Sequence, residues 1–250
     1  MKQKVWEEKY RISSFLVNLR GRAGLYTMLN LIQDVGWQHA FHLEVKFKRE
    51  HVWVFTRQRL VMRQWPKWNE EVTVRTWLKP PGGDSFMQRD YEIFLEDKKI
   101  GECTSTFTVI DMVTRRLAPQ DWSQFPPFWM TDDLLELKPS KIPATEAAED
   151  VASFEVRNSD IDSNHHVNNT KYAQWILDSL PIEVLRGGAE LLEYEVNFLS
   201  EMRKGDVVKV QKCSDERGGG ETSVIRFQGI RSTDGKTAFT ARMKTMPLSL

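Results

Sequence analysis

The sequence predicts an α+β protein made of two similar halves, each a curved antiparallel sheet wrapped around one long helix. In each half an apolar run with helical spacing lies among strand-like runs, and landmark residues recur at a nearly constant distance along the chain. Half of the ten prolines lie in residues 119–150, between the two halves. We therefore predict domains over 1–118 and 151–250, joined by an irregular linker over 119–150.

The first half begins with a strand-like run over 5–15, followed by a helix from Gly24 to about Phe41. Helical spacing relates the apolar residues Leu25, Met28, Leu29, Ile32 and Val35. Strands are then predicted near 52–62, 71–78, 87–95 and 99–111.

The second half repeats this order. A strand is predicted near 154–158, a helix from about 167 to 180, and strands near 191–199, 206–213, 222–230 and 238–246. Trp175 follows Trp37 by 138 residues, and Asp234 follows Asp97 by 137. A repeat this long indicates a duplicated domain rather than a solenoid. Because one sheet wrapped around one helix buries the apolar faces of both, the sequence predicts a tandem hot-dog fold.

Charge and composition limit the partners and the cellular location that the protein can have. The net charge is zero, so no strong field attracts nucleic acid. Residues 1–118 carry 20 Lys and Arg against 14 Asp and Glu, an excess that can steer an acidic partner. Cys103 and Cys213 lie in strand-like runs, which favours buried thiols in a reducing cytosol. Since the sequence has neither an apolar signal core nor a membrane-spanning run, we expect a cytoplasmic protein without membrane insertion.

An acid, an amide and an imidazole alternate at Asp162, Asn164 and His166, directly before the second predicted helix. Alternate residues of an extended segment share one face, and a helix N-terminus beside them offers free backbone N–H groups. This combination can bind a polarised carbonyl and activate a water. A polar loop that caps the helix is the alternative interpretation.

The two halves differ at this motif. Shifted back by 138 residues, the three polar positions fall on Gly24, Tyr26 and Met28. We therefore expect catalysis in the second half and an apolar pocket in the first. Met28, Leu29 and Ile32 are the candidate pocket residues, with an ordinary core role as the alternative.

His39 and His42 lie one turn apart on the first predicted helix. A metal would require further ligands, and none has suitable spacing. We expect no metal and no other cofactor.

The motif that runs from Asp162 to Trp175 resembles the hallmark of the acyl-acyl carrier protein thioesterases of plant plastids and bacteria. It reads Asp-x-Asn-x-His-Val-Asn-Asn-x-Lys-Tyr-x-x-Trp. Shorter matches to this family lie at 29–34, 66–68, 89–91 and 114–117, and the resemblance covers roughly residues 5–246.

The resemblance implies a catalytic set of four residues, Asp162, Asn164, His166 and Glu201. Glu201 aligns with a family glutamate that follows the next strand, and Glu193 and Glu195 are nearby rivals inside that strand. Plant members often carry a cysteine after this glutamate, whereas this chain has Met202. A thioether cannot form a thioester intermediate, so covalent catalysis by cysteine is not expected here.

The implied reaction is the hydrolysis of fatty acyl-acyl carrier protein by direct attack of water. Glu201 is the candidate general base, and the division of roles between it and His166 stays open. Backbone N–H groups of Val167, Asn168 and Asn169 are expected to bind the oxyanion. An acyl-CoA thioesterase, a dehydratase-like relative and a non-hydrolytic acyl-binding protein are the alternatives. The resemblance implies an acidic carrier protein as the partner. We expect no nucleic-acid partner, and the sequence leaves a homodimer open.

Overall fold

The computed structural model describes residues 4–43, 51–79, 86–111, 113–114, 116–118, 131, 135–217 and 221–247. In the first half the elements are β1 (Val5–Arg11), α1 (Leu25–His42), β2 (His51–Met62), β3 (Glu71–Leu78), β4 (Met87–Leu95) and β5 (Lys98–Asp111). In the second half they are β6 (Glu149–Glu155), α2 (Asn169–Asp178), β7 (Ala189–Phe198), β8 (Val207–Arg217), β9 (Ser223–Arg231) and β10 (Thr237–Pro247). Short helical turns span Ser14–Leu16, Asn158–Asp160 and Val184–Gly188.

The ten strands of the described residues belong to one antiparallel sheet with the order β1-β3-β4-β5-β2-β7-β10-β9-β8-β6. Each half contributes five strands in the same relative order. The halves join where β2 pairs with β7, with Arg57 opposite Asn197 and Val61 opposite Glu193. This topology, with one long helix in each half, confirms the predicted double hot-dog fold.

Most predicted elements agree with the structure to within a few residues, and two differ. The first strand ends at Arg11, because a 3₁₀ turn begins at Ser14 and its last carbonyl, that of Leu16, accepts from the Thr27 hydroxyl at 2.7 Å. The first strand of the second half begins at Glu149 and ends at Glu155, earlier than predicted. The division into domains at 118 and 151 stays a prediction.

One hydrophobic core extends through both halves. Trp175 of α2 is 4% exposed and belongs to this core. The two helices contact each other, and the Thr170 hydroxyl donates to Asn30 Oδ1 at 3.1 Å. Both cysteines are free thiols, and burial raises the pKa of Cys103. None of the described helices is long and apolar enough to cross a membrane.

An ion-pair clamp at the start of β7 ties the two halves together. Glu190 accepts from Arg20 Nη2 at 2.5 Å and from Arg22 Nη1 at 3.2 Å, and Arg20 Nη1 also donates to the Ala189 carbonyl at 3.2 Å. The Glu190 side chain is only 16% exposed, so water screens these pairs weakly.

We predict that Glu190→Gln destabilises the protein by about 2 kcal/mol, because it leaves two partly buried guanidinium groups without a counter-charge. For a chain of this size that loss lowers Tm by about 4–8 °C in thermal unfolding. Glu71→Gln is the matched control, since Glu71 pairs with Lys9 at 3.9 Å on the exposed surface. Equal Tm values for the two variants would show that the clamp does not stabilise the contact between the halves.

Candidate active site

A cleft of about 1450 Å³ lies between the two halves and has an apolar and a polar end. Its apolar lining comes mostly from the first half and includes Trp37 and Ala40 of α1 and Trp53, Phe55 and Phe107 of the sheet. The polar end comes from the second half and includes Asp162, Asn164, His166, Asn169, Glu201, Arg203, Lys204, Arg231 and Asp234.

An aromatic wall connects the two ends of the cleft. The ring of Phe55 lies 4.2 Å from Phe107 and 6.3 Å from Phe198, and Phe198 lies 5.4 Å from Tyr172 on α2. Sequence reasoning missed this wall. The signal that can reveal it is the i, i+2 spacing of Trp53 and Phe55, which places both side chains on one face of β2.

The motif loop is a tight turn rather than an extended segment, so that prediction is wrong. The Asp162 N–H donates to the His166 carbonyl at 2.9 Å, and the His165 N–H donates to the Asp162 carbonyl at 3.0 Å. Asp162 Oδ1 also accepts from the Asn164 N–H at 2.8 Å, an Asx turn that competes with extended backbone. Asp162, Asn164 and His166 nevertheless all line the cleft.

His166 and Glu201 form the central contact of the site, with 3.1 Å between Nε2 and Oε2. A carboxylate only accepts hydrogen bonds, so Nε2 bears the proton whenever this pair is hydrogen-bonded. Arg203 lies 3.7 Å from the same carboxylate oxygen, but its side chain is 63% exposed and the pair is weak. Burial, and then the charge of Glu201, raise the pKa of Tyr172.

The rival carboxylates inside β7 are engaged elsewhere. Glu193 accepts from Arg59 at 3.0 Å and from Arg242 at 3.1 Å, and Glu195 is fully buried with Arg242 at 2.6 Å. Neither is part of the cleft lining. Position therefore favours Glu201 over both.

The structure places the three predicted pocket residues of α1 in the core. Met28, Leu29 and Ile32 are at most 1% exposed, and none of them lines the cleft. The cleft is lined instead by Gln33, Gly36, Trp37, Ala40 and Phe41, nearer the end of the helix. The prediction is wrong because periodicity identifies the apolar face of a helix but cannot say which part of that helix borders a cavity.

Two of the three backbone N–H groups predicted to bind the oxyanion already donate to carbonyls. The Val167 N–H donates to the Met202 carbonyl at 2.9 Å, and the Asn168 N–H donates to the Asp160 carbonyl at 2.8 Å. The side chain of Asn168 caps α2 through the Thr170 N–H at 3.0 Å and is not part of the cleft lining. Asn169 lines the cleft, and its backbone N–H has no acceptor among the described residues.

The first half contains the same loop, bond for bond, at Asn18 to Arg22. The Asn18 N–H donates to the Arg22 carbonyl at 2.8 Å, and Asn18 Oδ1 accepts from the Arg20 N–H at 2.9 Å. Gly21, with φ at 67°, takes the place of His165, with φ at 62°. The true counterparts of Asp162, Asn164 and His166 are therefore Asn18, Arg20 and Arg22.

The correspondence inferred from the sequence was wrong because the repeat distance changes along the chain. Helix α1 has 18 residues and α2 has 10, so a single offset cannot align both the loops and the strands. The first-half loop thus carries polar residues, and two of them form the clamp on Glu190.

The glutamate position differs between the halves as well. The Ala23 N–H donates to the Pro66 carbonyl at 2.8 Å, as the Val167 N–H does to the Met202 carbonyl. This pairing makes Trp65 the counterpart of Glu201. Only the second of these two equivalent loops brings an imidazole and a carboxylate together.

The two histidines of α1 have other contacts. His39 is fully buried, with Nδ1 2.8 Å from Arg89 Nη1, and the ring of His42 stacks on Trp6 at 3.8 Å. The described residues contain no group of three or more His, Cys, Asp or Glu that could hold a metal ion.

Comparisons with known proteins agree with this architecture. The family model of the acyl-ACP thioesterase N-terminal domain matches residues 3–121, and that of the C-terminal domain matches residues 144–243. The palmitoyl-acyl carrier protein thioesterase of Cuphea hookeriana is 27% identical over 97% of this chain and 62% of its own length. The oleoyl-acyl carrier protein thioesterase of Coriandrum sativum is 28% identical over 81% of this chain and 61% of its own. The chain thus spans less than two thirds of these relatives.

Solved structures share the fold along the whole chain. An acyl-ACP thioesterase from Bacteroides thetaiotaomicron superimposes with a TM-score of 0.82 at 23% identity, covering 97% of this chain and 98% of its own. The 12:0-ACP thioesterase from Umbellularia californica gives a TM-score of 0.85 at 20% identity, covering 99% and 96%. With both family models matched in order along most of its length, the chain belongs to the acyl-ACP thioesterase family.

Proposed function

We propose that the protein hydrolyses the thioester of fatty acyl-acyl carrier protein and releases the free fatty acid. The observation that carries the proposal is the His166–Glu201 contact at 3.1 Å, at the polar end of a cleft with an aromatic wall. Membership of the family supports this reaction. The four residues Asp162, Asn164, His166 and Glu201 form the proposed catalytic set.

In the proposed reaction Glu201 is the general base and activates one water. The water oxygen bonds to the thioester carbonyl carbon while its proton passes to the Glu201 carboxylate. The tetrahedral intermediate then collapses, the carbon–sulfur bond breaks, and the thiolate takes up that proton, directly or through His166. In this scheme the imidazole carries its proton on Nε2, 3.1 Å from Glu201, so His166 orients the carboxylate and does not compete with it as a base.

Two donors can stabilise the oxyanion. The backbone N–H of Asn169 is free of described acceptors at the start of α2, and the side chain of Asn164 borders the same cleft. An oriented donor of this kind contributes about 3–4 kcal/mol to the transition state. Asp162 acts indirectly: its carboxylate accepts a hydrogen bond from the Asn164 N–H and so fixes the turn that carries the Asn164 side chain.

The apolar end of the cleft, lined mostly by the first half, is the proposed acyl-chain site. Ala40 of α1 faces it together with Trp53 and Phe55 of β2. A fatty acyl chain that lies along the aromatic wall passes from this end to Phe198 and Tyr172, beside the motif.

The proposed carrier-protein partner is acidic, and the polar end of the cleft carries exposed cations. Arg203, Lys204 and Lys236 are exposed there. Arg89, in contrast, is buried and cannot contact a docking protein. Acyl-CoA is the second candidate substrate, since it carries the same thioester on an anionic carrier.

For the base, we predict that Glu201→Gln lowers kcat by about 10²–10⁴-fold, since the amide keeps the shape but cannot take the proton. The measurement is steady-state hydrolysis of acyl-carrier protein by folded variants. Glu155→Gln, an exposed carboxylate of the same half outside the cleft, is the control. A kcat near that of the wild type in Glu201→Gln would remove Glu201 from this role.

For chain length, we predict that Ala40→Trp shifts the preferred acyl chain to shorter lengths. The larger side chain fills the apolar end, and each excluded methylene loses about 0.8 kcal/mol, or roughly fourfold in kcat/KM. A ladder of acyl chains on one carrier gives the profile. Gln38→Trp puts the same side chain on the exposed face of α1, outside the cleft, and should leave the profile unchanged. Identical profiles for both variants would place the acyl chain elsewhere.

For the carrier, we predict that kcat/KM on acyl-carrier protein falls steeply between low and moderate salt, with kcat nearly constant. Reversal of Lys204 or Lys236 to Glu should reduce both kcat/KM and its salt dependence. Lys209→Glu, on an exposed strand position outside the cleft, is the control. A salt-independent kcat/KM would refute electrostatic steering, and equal activity with acyl-CoA would point to the second candidate substrate.

A further inference from the structure

The backbone of Glu201 is held by a charged pair that the reaction scheme does not use. Arg231, at the end of β9, donates from Nη1 to the Glu201 carbonyl. The same guanidinium donates from Nε to Asp234 Oδ1 at 2.9 Å and from Nη2 to Asp234 Oδ2 at 2.6 Å. These hydrogen bonds hold the pKa of the Asp234 carboxyl well below its usual range, so the pair stays charged at neutral pH.

Arg231 is itself restrained. Its side chain is 17% exposed, and its backbone N–H and carbonyl bond to Lys236 and Gly235 across the β9–β10 turn at 2.9 Å each. A bidentate carboxylate on one side and a carbonyl on the other leave the guanidinium little freedom. The Glu201 carbonyl therefore meets a fixed donor rather than a mobile surface arginine.

The first half provides an internal comparison. In β3 and β4 Val72 lies opposite Leu95, and in β8 and β9 Val208 lies opposite Arg231. Leu95 is thus the counterpart of Arg231, in the half where Trp65 stands in place of Glu201. Because the first half builds the same loop without this arginine, the fold of a half does not require it. The arginine occurs where the carboxylate occurs.

We propose that Arg231, supported by Asp234, is a positioning residue that holds Glu201 against His166; this rests on the proposed function of the site. The backbone carbonyls of Glu201 and Met202 each accept a hydrogen bond. Arg231 donates to the first and the Val167 N–H donates to the second at 2.9 Å. Between these anchors the Glu201 side chain keeps Oε2 at 3.1 Å from His166. A misplacement of about 1 Å at a reacting group can cost 10²-fold in rate.

The test compares Arg231→Leu, which copies the first half, with Arg231→Lys and Asp234→Asn. Arg231→Leu should lower kcat by about 10- to 100-fold and change KM by less than about twofold. Arg231→Lys retains one donor for the carbonyl, so its kcat should fall less than that of Arg231→Leu. The kcat of Asp234→Asn should lie between those of Arg231→Leu and the wild type. Arg75→Gln is the control, because it breaks an arginine–carboxylate pair with Glu7 on the surface.

Two readouts separate positioning from a general loss of structure. Arg231→Leu should add no further loss of kcat to Glu201→Gln, since both act through one carboxylate. The imidazole NMR signals of His166 should move in Arg231→Leu toward their positions in Glu201→Gln, whether or not the chosen thioester is hydrolysed. A wild-type protein that cleaves no acyl thioester would refute the proposed function, and the NMR comparison would still test the positioning.

The proposal is overturned by any of three results. These are a kcat for Arg231→Leu within twofold of the wild type, losses that add in the double variant, and wild-type His166 signals in Arg231→Leu. If Arg231→Leu does not fold, the same criteria apply to Arg231→Lys and Asp234→Asn.

Discussion

The antiparallel pairing of β2 with β7 holds the two halves of the molecule in one sheet. It joins two five-stranded sheets along one seam, and the ion pair of Arg59 with Glu193 crosses that seam at 3.0 Å. The two halves meet through equivalent strands. The second-half loop borders a cleft lined by β2, and the first-half loop meets Glu190 at the start of β7.

The two halves contain the same loop, at residues 18–22 and 162–166, and the two copies have different roles. The hydrogen bonds of Asn18 and Asp162 are the same, so the backbone is set by an Asx turn rather than by catalysis. What differs is the side chains presented. In the first half, Arg20 and Arg22 bind the carboxylate of Glu190 in the other half. In the second half, the amide of Asn164 and the imidazole of His166 line the cleft. Glu201 and its arginine occur only in the second.

The sequence predicted the fold well because apolar periodicity decides which runs form strands and which form helices. It also located the motif, since Asp162, Asn164 and His166 are close in the chain. Sequence-based prediction failed where a position depends on the length of a loop or on the direction in which a side chain points. Trp37 and Trp175 suggested one repeat distance, yet the helix starts at Leu25 and Asn169 make Leu31 the counterpart of Trp175. The pairing of Glu201 with Arg231 is invisible in sequence, because the two residues are 30 positions apart and strand β8 and the rest of β9 lie between them.

In the proposed reaction one water, activated by Glu201 beside His166, attacks the thioester without a covalent intermediate. A single turnover in H₂¹⁸O, with excess enzyme, tests this most directly by mass spectrometry of both the fatty acid and the protein. We predict one ¹⁸O atom in the released acid, none in the peptide that contains Glu201, and no acyl adduct on protein quenched during the turnover. An acylated protein, or ¹⁸O in the Glu201 carboxyl group, would contradict direct attack by water.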